Sequence, residues 1–183
     1  ETAEIVEVYS RQLSRDTKLL MSSKYTYYPV VRYKLDGKDN SLPECRRRIG
    51  YIPDDIFYFP AATLEEMHAF YKGLYPDFDD DLFARLYEIF DLPPKSPLRR
   101  FSKGMQKQAS VVLALAAHPD YLLCDETFDG LDPVMRGVLK NLLIESIDKS
   151  GTTVIIASHN LRELEDLCDH VALLHSGKLI ISD

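Results

Sequence analysis

The sequence predicts an α/β fold: a mainly parallel sheet flanked by helices, with a small helical lobe. Three observations carry this. Two short apolar runs bounded by turn signals, Tyr121-Leu122-Leu123-Cys124 and Thr152-Thr153-Val154-Ile155-Ile156-Ala157, read as buried strands of a parallel sheet. Between them Met135, Val138, Leu139, Leu142 and Leu143 recur at helical spacing, as a crossover helix requires. Upstream, two further apolar stripes at 63–75 and 79–90 read as paired helices. Ligands of parallel sheets sit at the carboxyl ends of the strands, and Asp125 and Glu126 fall there.

The bulk composition narrows the class. A chain of 183 residues reads as one domain, 1–183, with room for a small lobe. A hydrophobic content of 45% supports a sizeable core. The net charge of -7 argues against a nucleic-acid partner, for which a basic face is expected. No run of 18 apolar residues and no signal peptide are visible, so neither a membrane span nor export is expected. The three cysteines show no CxxC spacing, which speaks against zinc. Cys124 and Cys168 lie in apolar surroundings and read as reduced, buried thiols of a cytosolic protein.

In chain order, 1–9 is a short strand through Ile5, Val6 and Val8. Residues 24–31, with Tyr25, Tyr27, Tyr28, Val30 and Val31, form another strand. A base-stacking platform is the alternative there, and the acidic chain disfavours it. Leu35-Asp36-Gly37-Lys38 is a turn, and Arg46-Arg47-Arg48 a solvated helix face. Ile49-Gly50-Tyr51-Ile52-Pro53 is a strand. In the helix at 63–75, Thr63 caps and Glu66 completes a capping box. Its stripe of Leu64, Met67, Phe70, Tyr71 and Leu74 is expected to be core. The helix at 79–90 carries Leu82, Phe83, Leu86, Ile89 and Phe90 on one face, and Pro93, Pro94 and Pro97 end it.

Ser102 stands where a helix N-cap belongs. The N–H groups of such a terminus attract an anion, and Gly104 lets the backbone come close. Val111, Val112 and Leu115 continue the apolar face. The adjacent carboxylates of Asp125 and Glu126 repel unless a metal ion or an activated water uses them, or unless they form a helix-capping acidic turn. Asp132 caps the next helix with Pro133 at its first position, and Lys149-Ser150-Gly151 closes it. His159 follows the run 152–157, where a lone histidine reads as an ordinary satisfied polar residue. A helix at 161–168, a strand at 171–174, a turn at Ser176-Gly177 and a strand at 179–182 complete the sheet.

Phe101-Ser102-Lys103-Gly104-Met105, the run from Leu122 to Pro133, and His159 occur in an order and spacing that resemble the nucleotide-binding domain of ABC transporters. The resemblance spans roughly residues 4–182 and is closest from 49 onward. It implies a P-loop NTPase-like ABC ATPase domain with 61–100 as its helical subdomain. It also implies ATP and Mg2+ as cofactors, and a second ATPase subunit, identical or different, as partner. Membrane-spanning transporter subunits follow from it too, with a cytoplasmic place at the membrane periphery. By the same resemblance Asp125 holds magnesium through water and Glu126 is the general base. His159 is the switch histidine. Gly130-Leu131-Asp132 is the D-loop, and Ser102, Lys103 and Gly104 form a variant signature loop that faces ATP on the opposite subunit.

This chain departs from the family pattern in several places. The phosphate loop GxxxxGK[ST] would fall at Ser10-Arg11-Gln12-Leu13-Ser14-Arg15-Asp16-Thr17, followed by a helix through Leu19-Leu20-Met21. That stretch has no glycine and places Asp16 where the lysine belongs. Asp54 stands at the Q-loop glutamine and could still reach a metal. Phe101, Lys103 and Met105 vary the signature, and Thr127 replaces a proline. Two readings of the first stretch stand side by side: a subunit that cannot hold ATP by itself, or an altered N-terminus on an ordinary member. The runner-up function is a non-hydrolysing interaction subunit that lends its signature loop to a partner ATPase. A soluble ATPase of translation or repair lacks support, because neither tandem domains nor long coiled coils are present.

Overall fold

The computed structural model describes residues 3–12, 27–35, 38–39, 43–56, 59, 61–160, 164–175 and 178–182. The chain gathers into two compact units, 1–46 and 47–183. The first holds an antiparallel sheet of β1 (Ala3–Gln12), β2 (Tyr27–Leu35) and β3 (Lys38–Asp39), followed by the short helix α1 (Pro43–Arg46). The strand expected at 1–9 therefore runs on, and Ser10, Arg11 and Gln12 pair with Pro29, Tyr28 and Tyr27. The first three positions aligned with a phosphate loop belong to a β-ladder. Residues 13–17, Leu19-Leu20-Met21 and the centre of the turn at 36–37 lie outside the described residues.

The second unit is built on a parallel sheet of β4 (Ile49–Ile52), β5 (Tyr121–Asp125) and β6 (Thr153–Ala157), with β5 central. Leu122 faces Gly50 on one side and Val154 on the other. The helices α2 (Leu64–Leu74) and α3 (Asp80–Phe90) follow β4, then a 3-10 turn (Leu98–Arg100) and α4 (Lys103–Ala116). The helix α5 (Pro133–Ser150) crosses from β5 to β6. Among the described residues no helix is long and apolar enough to cross a membrane.

Local chemistry explains the helix ends. Thr63 and Glu66 form the reciprocal capping box. Asp79 caps α3 through Leu82 N, and Ser102 caps α4 through Met105 N. Asp132 caps α5 through Val134 N and Met135 N, and Gly151 ends it at φ +68°.

The core is centred on α4, whose residues Ala109 and 111–116 are buried together with its C-cap Ala117. That helix packs on β4, on α3 and on α2. Each fully buried leucine contributes about 1.5–3 kcal/mol. Gly50 permits the close approach. A Cβ there would lie 2.9 Å from both Leu122 Cδ1 and Pro119 Cγ, and 3.4 Å from Ala114 O.

Several expectations need correction. The stripes of α2 and α3 are only partly core: Leu64, Met67, Leu86 and Phe90 are buried, whereas Phe70, Leu74 and Ile89 are exposed. Phe70 packs edge-on to Phe59 instead, at 5.3 Å between ring centroids. The run 152–157 is not a buried strand. Ile155 is 54% exposed, and Thr153 and Ala157 share that open face. Among the described residues β6 has β5 as its one neighbour, so it is also the edge strand of this sheet. The strands β7 (Ala172–His175) and β8 (Lys178–Ser182) do not complete the sheet. They form a separate antiparallel ladder, and their turn at Ser176-Gly177 lies outside the described residues. Of the helix expected at 161–168, only Leu164 is helical among the described residues, and a turn follows at 165–167. Cys124 is buried as expected, Cys168 is only half-buried, and Cys45 is a third free, buried thiol.

Candidate functional site

The site lies at the carboxyl ends of β5 and β6. The ladder ends at Asp125 opposite Ala157, and the backbone N–H of Glu126 still donates to Ala157 O at 2.9 Å. Glu126 then takes φ +45°, a left-handed conformation uncommon for a residue with a Cβ. This turns the chain out of the sheet, and Asp129 N closes the bend on Glu126 O at 3.1 Å. The neighbouring strand, β6, delivers His159 two residues past its end. His159 Nδ1 stands 2.9 Å from Glu126 Oε2. The Glu126 side chain is 24% exposed and the imidazole 73%.

That same Glu126 oxygen is shielded from solvent, and His159 Nδ1 is a polar atom set directly against it. A shielded carboxylate oxygen is expensive unless a donor or an ion serves it, and His159 Nδ1 can donate to it when that nitrogen carries the proton. Glu126, Asp129 and His159 bring three ligand atoms within 4.8 Å of one another, which could hold a metal ion. One imidazole and two carboxylates suit several divalent ions, whereas magnesium favours oxygen alone.

Asp125 points elsewhere. Its Oδ2 accepts a hydrogen bond from Tyr51 Oη, across the β4–β5 ladder, at 3.4 Å. Tyr51 is pushed up by burial first, then by the charge and hydrogen bond of Asp125, and last by Asp54. Asp125 and Asp54 thus act on one phenol. Asp125 has lone pairs left for a hydrated magnesium ion, so the hard-oxygen chemistry of that ion fits this carboxylate. Asp54 is not in the three-ligand group. Its carboxylate is exposed and lies 3.7 Å from Lys107 Nζ. Beneath Asp125, burial pushes the Cys124 thiol up to about 12, partly offset by the Thr127 hydroxyl and the Lys107 charge, so it stays a neutral core group.

The other expected elements lie beside one another. Ser102 Oγ accepts from Met105 N at 3.2 Å, and Lys103 and Gly104 open α4. A Cβ on Gly104 would lie 3.2 Å from Gly130 O, so the helix terminus abuts the turn at 130–132. Asp132 Oδ1 accepts from Val134 N at 2.9 Å and Met135 N at 3.1 Å, and Arg136 Nε holds Leu131 O at 2.9 Å. Asp132 therefore caps a helix before it does anything else.

Sequence reasoning missed Asp129, Tyr51 and Lys107. The signal for Lys107 was present: a charged residue one helical turn before Val111, on an otherwise apolar face. Tyr51 alternates with the inward Gly50 and Ile52 and so had to point outward. Asp129 had no signal beyond lying in an acidic turn.

Comparison with known proteins gives these residues a frame. Residues 24–129 match the family described as ABC transporter. YtrB, an ABC transporter ATP-binding protein of Bacillus subtilis, is 29% identical over 75% of this chain and 47% of its own. YehX, the ATP-binding protein of a glycine betaine uptake system in Escherichia coli, is 31% identical over 91% of this chain and 57% of its own. The chain thus spans about half the length of such relatives. A dimeric ATP-binding cassette solved in a post-hydrolysis state with ADP and Pi superposes with a TM-score of 0.75. It covers 100% of this chain and 98% of its own, and at 15% identity it speaks for the fold alone.

Proposed function

The chain belongs to the ABC transporter family, and on that premise we propose that it acts as an ATP-binding subunit coupling ATP binding and hydrolysis to transport across a membrane. We read 1–183 as one domain of this class with its helical subdomain at 61–100. The observation that carries the reading is the meeting of Glu126 and His159 at 2.9 Å on adjacent strand ends. In this reading Glu126 takes the proton of the attacking water and His159 orients that water. Asp125 would hold Mg2+ through water, and Asp54 could still reach it. Ser102, Lys103 and Gly104 would offer an anion-binding helix terminus to ATP on a second subunit, with Asp132 fixing the adjoining turn. The partners would be that second ATPase subunit and membrane-spanning subunits, which would place the chain at the cytoplasmic membrane surface.

We further propose that the chain is a weak ATPase by itself. It contains no GK[ST], and β1 runs through Ser10, Arg11 and Gln12 as a paired strand. This favours a second role, in which the chain lends Ser102 and Gly104 to a partner's nucleotide. Titration of the purified chain with Mg·ATP, followed by heat or thermal protection, separates the two. No binding at millimolar ATP supports the lending role. Micromolar binding would make the chain a full ATPase and overturn the proposed weakness.

A further inference from the structure

Lys107 is 4% exposed, the only buried charged side chain among the described residues. A buried ammonium persists only where its three donors find acceptors. Among the described residues its acceptors come from two consecutive residues beyond β4. Nζ donates to Pro53 O at 3.1 Å and Asp54 O at 3.4 Å, with Asp54 Oδ1 at 3.7 Å. These carbonyls lie past the last rung of the β4–β5 ladder, Ile52 with Cys124, so no strand partner serves them. The preceding residue, Gln106, uses its Nε2 to hold Leu98 O at 3.3 Å and Phe101 O at 3.2 Å. One turn of α4 therefore ties down both the chain entering it and the loop after β4.

We propose that Lys107 is a positioning residue that locks the loop after β4 to the N-terminal turn of α4, so that Asp54 and the Ser102–Gly104 terminus are held in one rigid body. The meaning of this lock for nucleotide rests on the function proposed above; the lock itself does not. Two backbone carbonyls are its main acceptors, so the Asp54 carboxylate is dispensable to it. A neutral aliphatic side chain at 107 removes it, and a guanidinium keeps the charge and the donors.

Hydrogen exchange on the nucleotide-free chain tests this, read in peptides covering 49–56 and 103–108. In Lys107→Met both segments should exchange faster, by about tenfold, the loss of a charge-assisted bond. Lys107→Arg and Asp54→Asn should stay within about twofold of the parent. A peptide from the middle of α5, at 139–147, should not change. Acceleration at 49–56 with none at 103–108, or equal acceleration in α5, would overturn the lock and leave only a local or a general packing role. So would Lys107→Arg behaving like Lys107→Met. Should Lys107→Met not fold, Lys107→Gln is judged by the same criteria. A parallel Mg2+ titration with ATP tests the nucleotide reading separately. There Lys107→Met should raise the Mg2+ requirement about tenfold. A parent chain that binds no nucleotide would count against ATP binding by this chain, while the exchange result would still decide the lock.

Discussion

Glu126 and His159 meet across two strand ends, Nδ1 to Oε2 at 2.9 Å, although 33 positions separate them in the chain. The parallel register of β5 and β6 makes the meeting, because Asp125 lies opposite Ala157 and each side chain follows closely after. Replacing Glu126 with Gln keeps the shape and removes the base. Steady-state phosphate release by the chain with its partner subunit should fall at least about a hundredfold, with nucleotide affinity kept. Turnover within twofold of the parent would remove Glu126 from the chemistry.

Gly50 should tolerate no side chain. Its absent Cβ would sit 2.9 Å from Leu122 Cδ1 and from the Pro119 ring. Overpacking of this kind costs about 1–3 kcal/mol. Gly50→Ala should lower the urea midpoint accordingly with an unchanged slope. A midpoint equal to the parent's would mean that Leu122 changes rotamer freely.

Glu145 predicts a pH dependence. It accepts from Arg85 and from Lys149, both at 2.8 Å, and the Arg85 bond first, then Lys149, hold its carboxyl down to about 2 from an ordinary 4.5. A depressed carboxyl contributes its stability above the unfolded value and loses it as the pH falls toward the folded one. The stability gap between parent and Glu145→Gln should be full above about pH 4.5 and vanish on the way to pH 2. Arg85 and Lys149 are largely solvent-exposed, so the gap should stay under about 1 kcal/mol. Urea titrations at pH 6 and pH 3 measure it, and an equal gap at both would show that the pair acts through packing.

Local chemistry was legible in the residues. Thr63 with Glu66, Ser102, Asp132 with Pro133, and Gly151 mark helix ends by rules that act within four residues, and each one does so here. The Asp125–Glu126 turn was legible for the same reason. What escaped was set by partners far along the chain. Lys107 meets Pro53 and Asp54, Tyr51 meets Asp125, and none of these pairs has a signature in spacing. The open face of β6 and the separate β7–β8 ladder escaped too, because an apolar run states that a strand forms but not what covers or joins it.

The helical stripes show the same limit and supply the last prediction. Leu86 and Ile89 share one face of α3 at three-residue spacing, yet Leu86 is fully buried and Ile89 is 43% exposed. The helix packs on α4, and Leu86 joins the core cluster whereas Ile89 stays outside it. Leu86→Ala should cost about 2–5 kcal/mol, because its neighbours cannot fully collapse into the space. Ile89→Ala should stay within about 0.5 kcal/mol, as surface changes do. Chemical denaturation of both variants measures the difference directly. Equal losses would mean that Ile89 is covered in solution by something beyond the described residues, which would make that edge of α3 a contact surface.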